Sequence, residues 1–446
     1  MIFHHLKYVT PVWYFNLKPL IDHTYFPTVE NLKKENIVLD IDMDFVSEEG
    51  RQRDLAYRAF QFGFINREPN EQTCCYWEAA CLPAEDEYRF LRKNFNPYWS
   101  VYVLIIRLFG LNNPFHEVKG YFKSRNSKRQ MYYDKPISYE TYAKYESVFV
   151  KQQPLISIVI PTLNRYLYLK DVFRDLEKQT YKNFEVIIFD QSEPFKQGFY
   201  ENWNFDLKVI KQDEKALWLA RNSAIKMSKG DLILLYDDDS LVDEDWILNH
   251  VKCLDYFKCE ISSGVSISVV GGKVPKHYSY FRWSDQIDTG NVMLKREVFE
   301  NIGLFDRQFE GQRMGDGEFG LRAYLAGFKN ISNPLAKRIH LKVSEGGLRQ
   351  MGSWDAWRPK KFFAPRPIPS VLYLVRKYFG PRAAIRDIII SVFPSIVPYR
   401  FKRNKKLMIL GILLGILLSP LLLISVFRSW HLASIKLSQG SKIEFL

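Results

Sequence analysis

The apolar residues of this chain change period along its length, and the clearest pattern begins at Pro154. Leu155 to Ile160 is an almost unbroken branched apolar run closed by Pro161, the mark of a strand buried on both faces. After a short polar loop, Leu167, Leu169, Val172, Phe173 and Leu176 recur at helical spacing. A second buried strand is predicted from Val186 to Phe189, ending at Asp190, and a helix from Leu217 to Met227, stopped by Lys229 and Gly230. Leu232 to Tyr236 reads as a third buried strand and runs directly into Asp237, Asp238 and Asp239. Strands alternating with helices predict an open, Rossmann-like α/β sheet of parallel strands.

The flanks read differently. Residues 1 to 152 hold a scatter of aromatics (Trp13, Tyr14, Phe15, Trp77, Tyr98, Trp99) and form an N-terminal extension with no assigned role. Val101 to Leu111 is apolar but contains Arg107 and falls short of the ~20 residues a spanning helix requires, so a core helix is expected there. Beyond the α/β domain at 153–345, residues 346–403 are expected to form a loop and amphipathic helices, with Ile385 to Val397 as a surface helix. Leu407 to Phe427 is free of charge and matches the ~20 residues of a membrane span, giving a transmembrane helix at 404–428 and a tail at 429–446. Arg400, Lys402, Arg403, Lys405 and Lys406 mark its cytoplasmic flank. Pro420 predicts a kink, and Arg428, His431 and Lys436 leave an interfacial or hairpin-like insertion open.

Composition narrows the partners. The 446 residues carry a formal charge of +13, which favours anionic partners. The cations gather ahead of an apolar run rather than in an arm, so the expected partner is a membrane and not nucleic acid. Cys74, Cys75, Cys81, Cys253 and Cys259 are odd in number and irregular in spacing, which fits neither a disulfide framework nor a zinc pattern. Met1 to Val12 is interrupted by His4, His5, Lys7 and Pro11 and does not read as a signal peptide, so the bulk of the chain is expected in the cytoplasm. Asp40, Asp42 and Asp44 lack the glycine and distal glutamate of a calcium loop and read as a solvated turn.

Ligands of open parallel sheets bind beyond the carboxyl ends of the strands. Three strands deliver polar side chains there: Thr162, Asn164 and Arg165; Asp190; and the Asp237–Asp239 triplet. Adjacent carboxylates repel, and a divalent cation with hard oxygen ligands relieves the repulsion. An acidic turn with an N-cap role is the other reading of the triplet.

The string Ile158-Val159-Ile160-Pro161-Thr162-Leu163-Asn164-Arg165 resembles the opening strand and loop of family 2 glycosyltransferases. The family's order of motifs follows: Asp190, Ala220-Arg221-Asn222, a DxD-type triplet, Thr289-Gly290-Asn291, Gly303-Leu304-Phe305-Asp306, and Gly315-Asp316-Gly317-Glu318. The resemblance implies a GT-A nucleotide-diphospho-sugar transferase fold and an inverting, metal-dependent transfer of one sugar. The donor would be a nucleotide-sugar linked to UDP, and the acceptor a glycan or lipid-linked molecule in cell-surface polysaccharide synthesis. Pro161, Thr162, Asn164, Arg165, Asp190, Arg221, Asp237, Asp238, Gly290 and Asn291 would face the nucleotide-sugar, with Asp190 accepting from the uracil imide and Arg221 near the phosphates. Asp239 would bind Mn2+ or Mg2+, and His340 either completes that site or is structural. Asp316 is the expected general base, with Glu318 as the other candidate; the family's usual Glu-Asp pair here begins with Gly315. Gly346-Gly347 with Arg349 reads as a lid or as a plain loop. Processive members carry several spanning helices and a Gln-x-x-Arg-Trp motif that this chain lacks, which points to single addition. A non-catalytic nucleotide-sugar or glycan-binding module is the alternative. A nucleotidyltransferase is disfavoured, since no glycine-rich activating loop follows the first strand.

Overall fold

The computed structural model describes all residues except 10–13, 21–25, 68–79, 133, 270–273, 285–286, 344, 349–355, 360 and 403. Trp13, Cys74, Cys75, Trp77, Arg349 and Arg403 therefore lie outside the described residues. Among the described residues, nine strands form one sheet: β1 Ile156–Thr162, β2 Phe184–Asp190, β3 Asp206–Lys211, β4 Leu232–Tyr236, β5 Ser240–Val242, β6 Ile261–Ser268, β7 Arg282–Trp283, β8 Asn291–Lys295 and β9 Asn330–His340. Their order is β3-β2-β1-β4-β8-β6-β9-β5, with β7 paired to β9.

The three strands expected from the apolar runs are β1, β2 and β4, each buried along its whole length. They pair in parallel, and β3 joins them on the far side of β2. Beyond β4 the sheet is mixed, because β8 runs antiparallel to both β4 and β6. The parallel register sets Thr162 opposite Asp190, so the carboxyl ends of β1 and β2 coincide. The helix Tyr166–Glu177 buries Leu169, Val172, Phe173 and Leu176 as its spacing predicts, while Leu167 stays exposed. The helix Leu217–Met227 has the expected bounds.

The helices Glu48–Gln61, Ala84–Asn94, Pro97–Phe109 and Pro114–Lys123 build a layer before the sheet. Phe3, Phe60 and Phe90 from this layer share one apolar cluster with Ile158, Ile160 and Val186 of the sheet. Pro97–Phe109 is not the core helix expected over Val101–Leu111. It buries only Ser100 and Val103 fully and exposes Tyr98, Val101, Ile105 and Phe109, because apolar residues occupy its whole circumference while only one stripe meets protein. Asp42 and Asp44 are ion-paired to Lys93 and Arg89 rather than left in a bare turn. Cys253 and Cys259 are buried free thiols.

The charge-free stretch near the C-terminus is not one straight span. Lys405–Leu417 and Ser419–Gln439 are separate helices meeting at 82°, and no single described helix is long and apolar enough to cross a membrane. Pro420 stands in the first turn of the second helix, where it has no N–H to continue the first.

Asn291 opens β8 with its side chain turned inward, not toward a ligand as expected. Its Oδ1 accepts from Trp246 Nε1 at 2.8 Å and lies 3.1 Å from His250 Nε2, while Nδ2 donates to the carbonyls of Val265 (3.2 Å) and Ala336 (3.0 Å). One amide thus ties β8 to β6, β9 and the helix Trp246–Tyr256, and its removal would strand buried partners in a low dielectric. Asn291→Ala is expected to cost about 2–4 kcal/mol in urea unfolding; a change within measurement error would show that water replaces these bonds.

Candidate functional site

The chain leaves β4 at Tyr236, makes the Asp237–Asp239 turn, and enters β5 at Ser240. Ser240 pairs with His340 at the end of β9, which brings that imidazole to the triplet from far along the chain. Each aspartate then meets an arginine. Asp237 Oδ1 accepts from Arg221 Nη2 at 2.9 Å and Oδ2 from Arg338 Nη1 at 2.8 Å. Asp238 accepts from Thr162 Oγ1 at 2.8 Å and Arg165 Nη1 at 2.9 Å. Asp239 lies 3.2 Å from Arg165 Nη1 and 3.4 Å from His340 Nε2.

These contacts set the electrostatics. Burial, aided by the charge of Asp239, pushes the Asp238 carboxyl up to about 6 against the pull of Arg165. Burial raises Asp239 as well, but the hydrogen bond and charge of His340, with Arg165, outweigh burial and Asp237 and leave it below its ordinary value. Burial works against the charge of Arg338, yet Asp288 and Asp237 hold the guanidinium above its ordinary range. Arg338 reaches Asp288 through a fork of 3.0 and 2.8 Å and also donates to Ser240 and Ser266.

Ligand atoms of Asp237, Asp239 and His340 all lie within 4.8 Å of one another. Two carboxylate oxygens and one imidazole could hold a divalent cation, and a small closure of the three would bring them onto one ion. Asp238 faces away, toward Thr162 and Arg165, and supports the turn. Gly290 lies against the same spot: a Cβ there would stand 2.1 Å from Asp237 Oδ2.

Asp316 occupies the first turn of the helix Gly315–Ala326 and accepts from the N–H of Gly317. It lines a cleft with Leu217, Trp218, Arg221, Thr289 and Gln312. Arg221 belongs to both places, since its Nη2 also donates to Thr289 O at 3.0 Å. Glu310 caps the helix that carries Arg221 by accepting from the N–H groups of Trp218 and Leu219. Gly315 has a local reason: a Cβ there would lie 2.4 Å from Trp218 Cζ2, so the first acid of the usual pair has no room.

Four expected contacts fall elsewhere. Glu318 is fully buried and held by Arg322 (2.9 Å), Lys377 (3.3 Å) and the hydroxyl of Tyr378, and it does not line the cleft that Asp316 lines. Asp190 reaches the rim but is sealed: Tyr166 and Tyr200 donate to Oδ2 at 2.6 and 2.8 Å, and Ser192 N to Oδ1 at 2.9 Å. Pro161 is a buried member of β1 beside Phe189. Asn291 is the peg described above. Asn164, at φ 55°, links the β1 and β2 loops by donating to Ser192 Oγ and accepting from Glu193 N. Arg165 also donates to the carbonyls of Val343 and Glu345, and Gly347 N donates to Leu163 O, so the Gly346–Gly347 loop packs over the β1 loop.

Residues 157–311 match the family model described as glycosyl transferase family 2. This segment is a family 2 glycosyltransferase domain. Its mixed α/β sheet is GT-A-like, and Asp316 and His340 lie just beyond the matched residues. The chain is similar to Glycosyltransferase GlyG of Streptococcus pneumoniae, at 32% identity over 42% of this chain and 59% of that protein. It is 20% identical to Glycosyltransferase GlyA of the same organism over 36% of this chain, and spans only 22% of GlyA. Among solved structures, S. aureus TarS 1-349 in complex with UDP-GlcNAc overlays with a TM-score of 0.42 at 16% identity, covering 65% of this chain and 97% of that one.

Arg338, Asp288 and Trp218 were missed by the sequence reading. Along β9, Arg338 and His340 point inward while Lys337 and Ile339 point out, and that inverted alternation is the signal a buried charge leaves. Gly315→Ala is expected to cost about 1–3 kcal/mol by overpacking. That cost should shrink in a Trp218→Leu background, as read by a double-mutant cycle of thermal unfolding; equal costs in both backgrounds would remove Trp218 as the constraint.

Proposed function

We propose that the chain is an inverting glycosyltransferase that moves one sugar from a nucleotide-sugar, UDP-linked by resemblance, to a glycan or lipid-linked acceptor. One observation carries the reading: Arg221 pairs with Asp237 of the triplet and lines the cleft of Asp316, so the acidic turn and the candidate base share one site. The family match supports the reaction class.

In a single in-line displacement, one carboxylate must take the proton of the acceptor hydroxyl. Asp316 is half-buried in the first turn of its helix and lines the cleft, where an acceptor hydroxyl could reach it. Glu318 is occupied by Arg322, Lys377 and Tyr378 and leaves that task to Asp316. Arg221 holds a fixed fork beside the triplet, where it would orient a diphosphate. Asp237, Asp239 and His340 would hold a divalent cation, which when bound stabilises negative charge on the departing nucleotide. Because Asp190 is covered by Tyr166 and Tyr200, a uracil would meet those hydroxyls first.

Asp316→Asn is expected to lower transfer by about 10²–10⁴-fold while nucleotide affinity changes little; equal losses in both would reassign it to binding. Asp239→Ala should abolish manganese binding by calorimetry and donor turnover together. Turnover that persists in chelator would instead favour a metal-free site neutralised by Arg165, Arg221 and Arg338, and no turnover with any nucleotide-sugar would favour the binding module.

A further inference from the structure

We propose that this protein docks on an anionic lipid bilayer through one apolar surface, with the elbow of Lys405–Leu417 and Ser419–Gln439 sunk into a single leaflet. The inference is independent of the glycosyltransfer reading. In Lys405–Leu417 only Gly411 and Gly415 are fully buried, packed against Val397 and Phe393. Ile409, Leu410, Leu413 and Leu417 are 61, 61, 59 and 76% exposed, and past the bend Ile424 and Phe427 are 52 and 68% exposed. A helix apolar on every side is not a water-facing helix.

The geometry selects one leaflet over a crossing. At about 1.5 Å per residue the first helix reaches about 20 Å, short of the ~30 Å hydrocarbon core. The second helix then leaves nearly at a right angle, at 82°, and is stitched to the protein: Arg428 donates to Phe363 O, Arg376 to Ser434 Oγ, and Lys436 to Gln308 O. The tail after it returns to the catalytic domain, where Leu304 N donates to Glu444 O. Both ends of the elbow are therefore held on the same side.

Neighbouring helices extend the surface. Gly380–Ser391 exposes Ile385 and Ile389, and its Arg386 lies 5.6 Å over the ring of Tyr8. Tyr8 in turn belongs to the apolar cluster on which Tyr102 packs, and Tyr102 lies on Pro97–Phe109, the helix that exposes Tyr98, Val101, Ile105 and Phe109. Charge names the occupant. Arg400, Lys402, Lys405 and Lys406 are exposed at the root of the elbow, and no Asp or Glu occurs between Asp387 and Glu444. A second protein copy would bring its own cations to this rim, whereas anionic headgroups complement it.

Flotation of the purified full chain with vesicles tests this. Binding is expected to phosphatidylcholine vesicles containing phosphatidylglycerol, and to fall at least about tenfold in Leu413→Glu/Leu417→Glu. Lys405→Gln/Lys406→Gln, at exposed positions in the first turn of the helix, should weaken binding to the anionic vesicles most at low salt, the deficit shrinking as salt is added. A C-terminal tag should remain open to protease added outside the vesicles. Absence of flotation, flotation unchanged in both variants, or a protected tag would each overturn the proposal. So would a dimer, without flotation, that the leucine variant dissociates.

Discussion

Three adjacent aspartates at the end of a buried strand can be folded only if their charge is met, and three arginines from separate parts of the chain meet it. Arg165 comes from the loop after β1, Arg221 from the helix before β4, and Arg338 from β9. Burying ions costs several kcal/mol each unless geometry repays it, so such a network fixes the positions of its owners more than it stabilises the fold. The loops that carry Arg165 and Gly290 and the ends of β4 and β9 have little freedom to sit elsewhere. The site's shape is in this sense an electrostatic solution, with Thr162, Ser240 and Ser266 filling the remaining hydrogen bonds.

The same logic explains which parts were legible beforehand. β1, β2 and β4 are wholly buried, so their apolar runs announce them. β3 alternates Leu, Val and Ile with lysines and lies at a sheet edge, β6 is rich in serine, and β9 contains Pro334 and an inward arginine. None of these offers a run of apolar residues, and pairing across the mixed half of the sheet depends on contacts distant in sequence. The acidic triplet, Arg221, His340 and Asp316 are brought together as their chemistry suggests. Asn291 and Glu318 turn to buried partners, and Asp190 is covered at the rim, for a common reason: a polar residue in a motif can satisfy protein partners as readily as it can face a ligand. Only the identities of those partners, Trp246 and His250, Arg322 and Lys377, Tyr166 and Tyr200, separate the two cases.

Glu318 also connects two regions. It sits one half-turn after Asp316 and is gripped by Lys377 and Tyr378 at the end of the helix Pro369–Tyr378. That helix packs on Ser419–Gln439, and Lys377 in turn donates to Ser441 in the tail. Tyr373 and the N–H of Lys442 both bond to Asp306. The C-terminal helices are thus fastened to the helix bearing the candidate base by buried, charge-assisted bonds, and a displacement of one would strain the other.

The aromatic layer before the sheet has a consequence for how the protein can be cut. Phe3, Phe60 and Phe90 complete the same oily interior that Ile158, Ile160 and Val186 begin. A fragment starting at residue 153 would present a bared flank of β-strands to solvent and would be prone to clump before it could be assayed. The extension and the sheet share one close-packed interior, so a change of volume on one side is felt by the other.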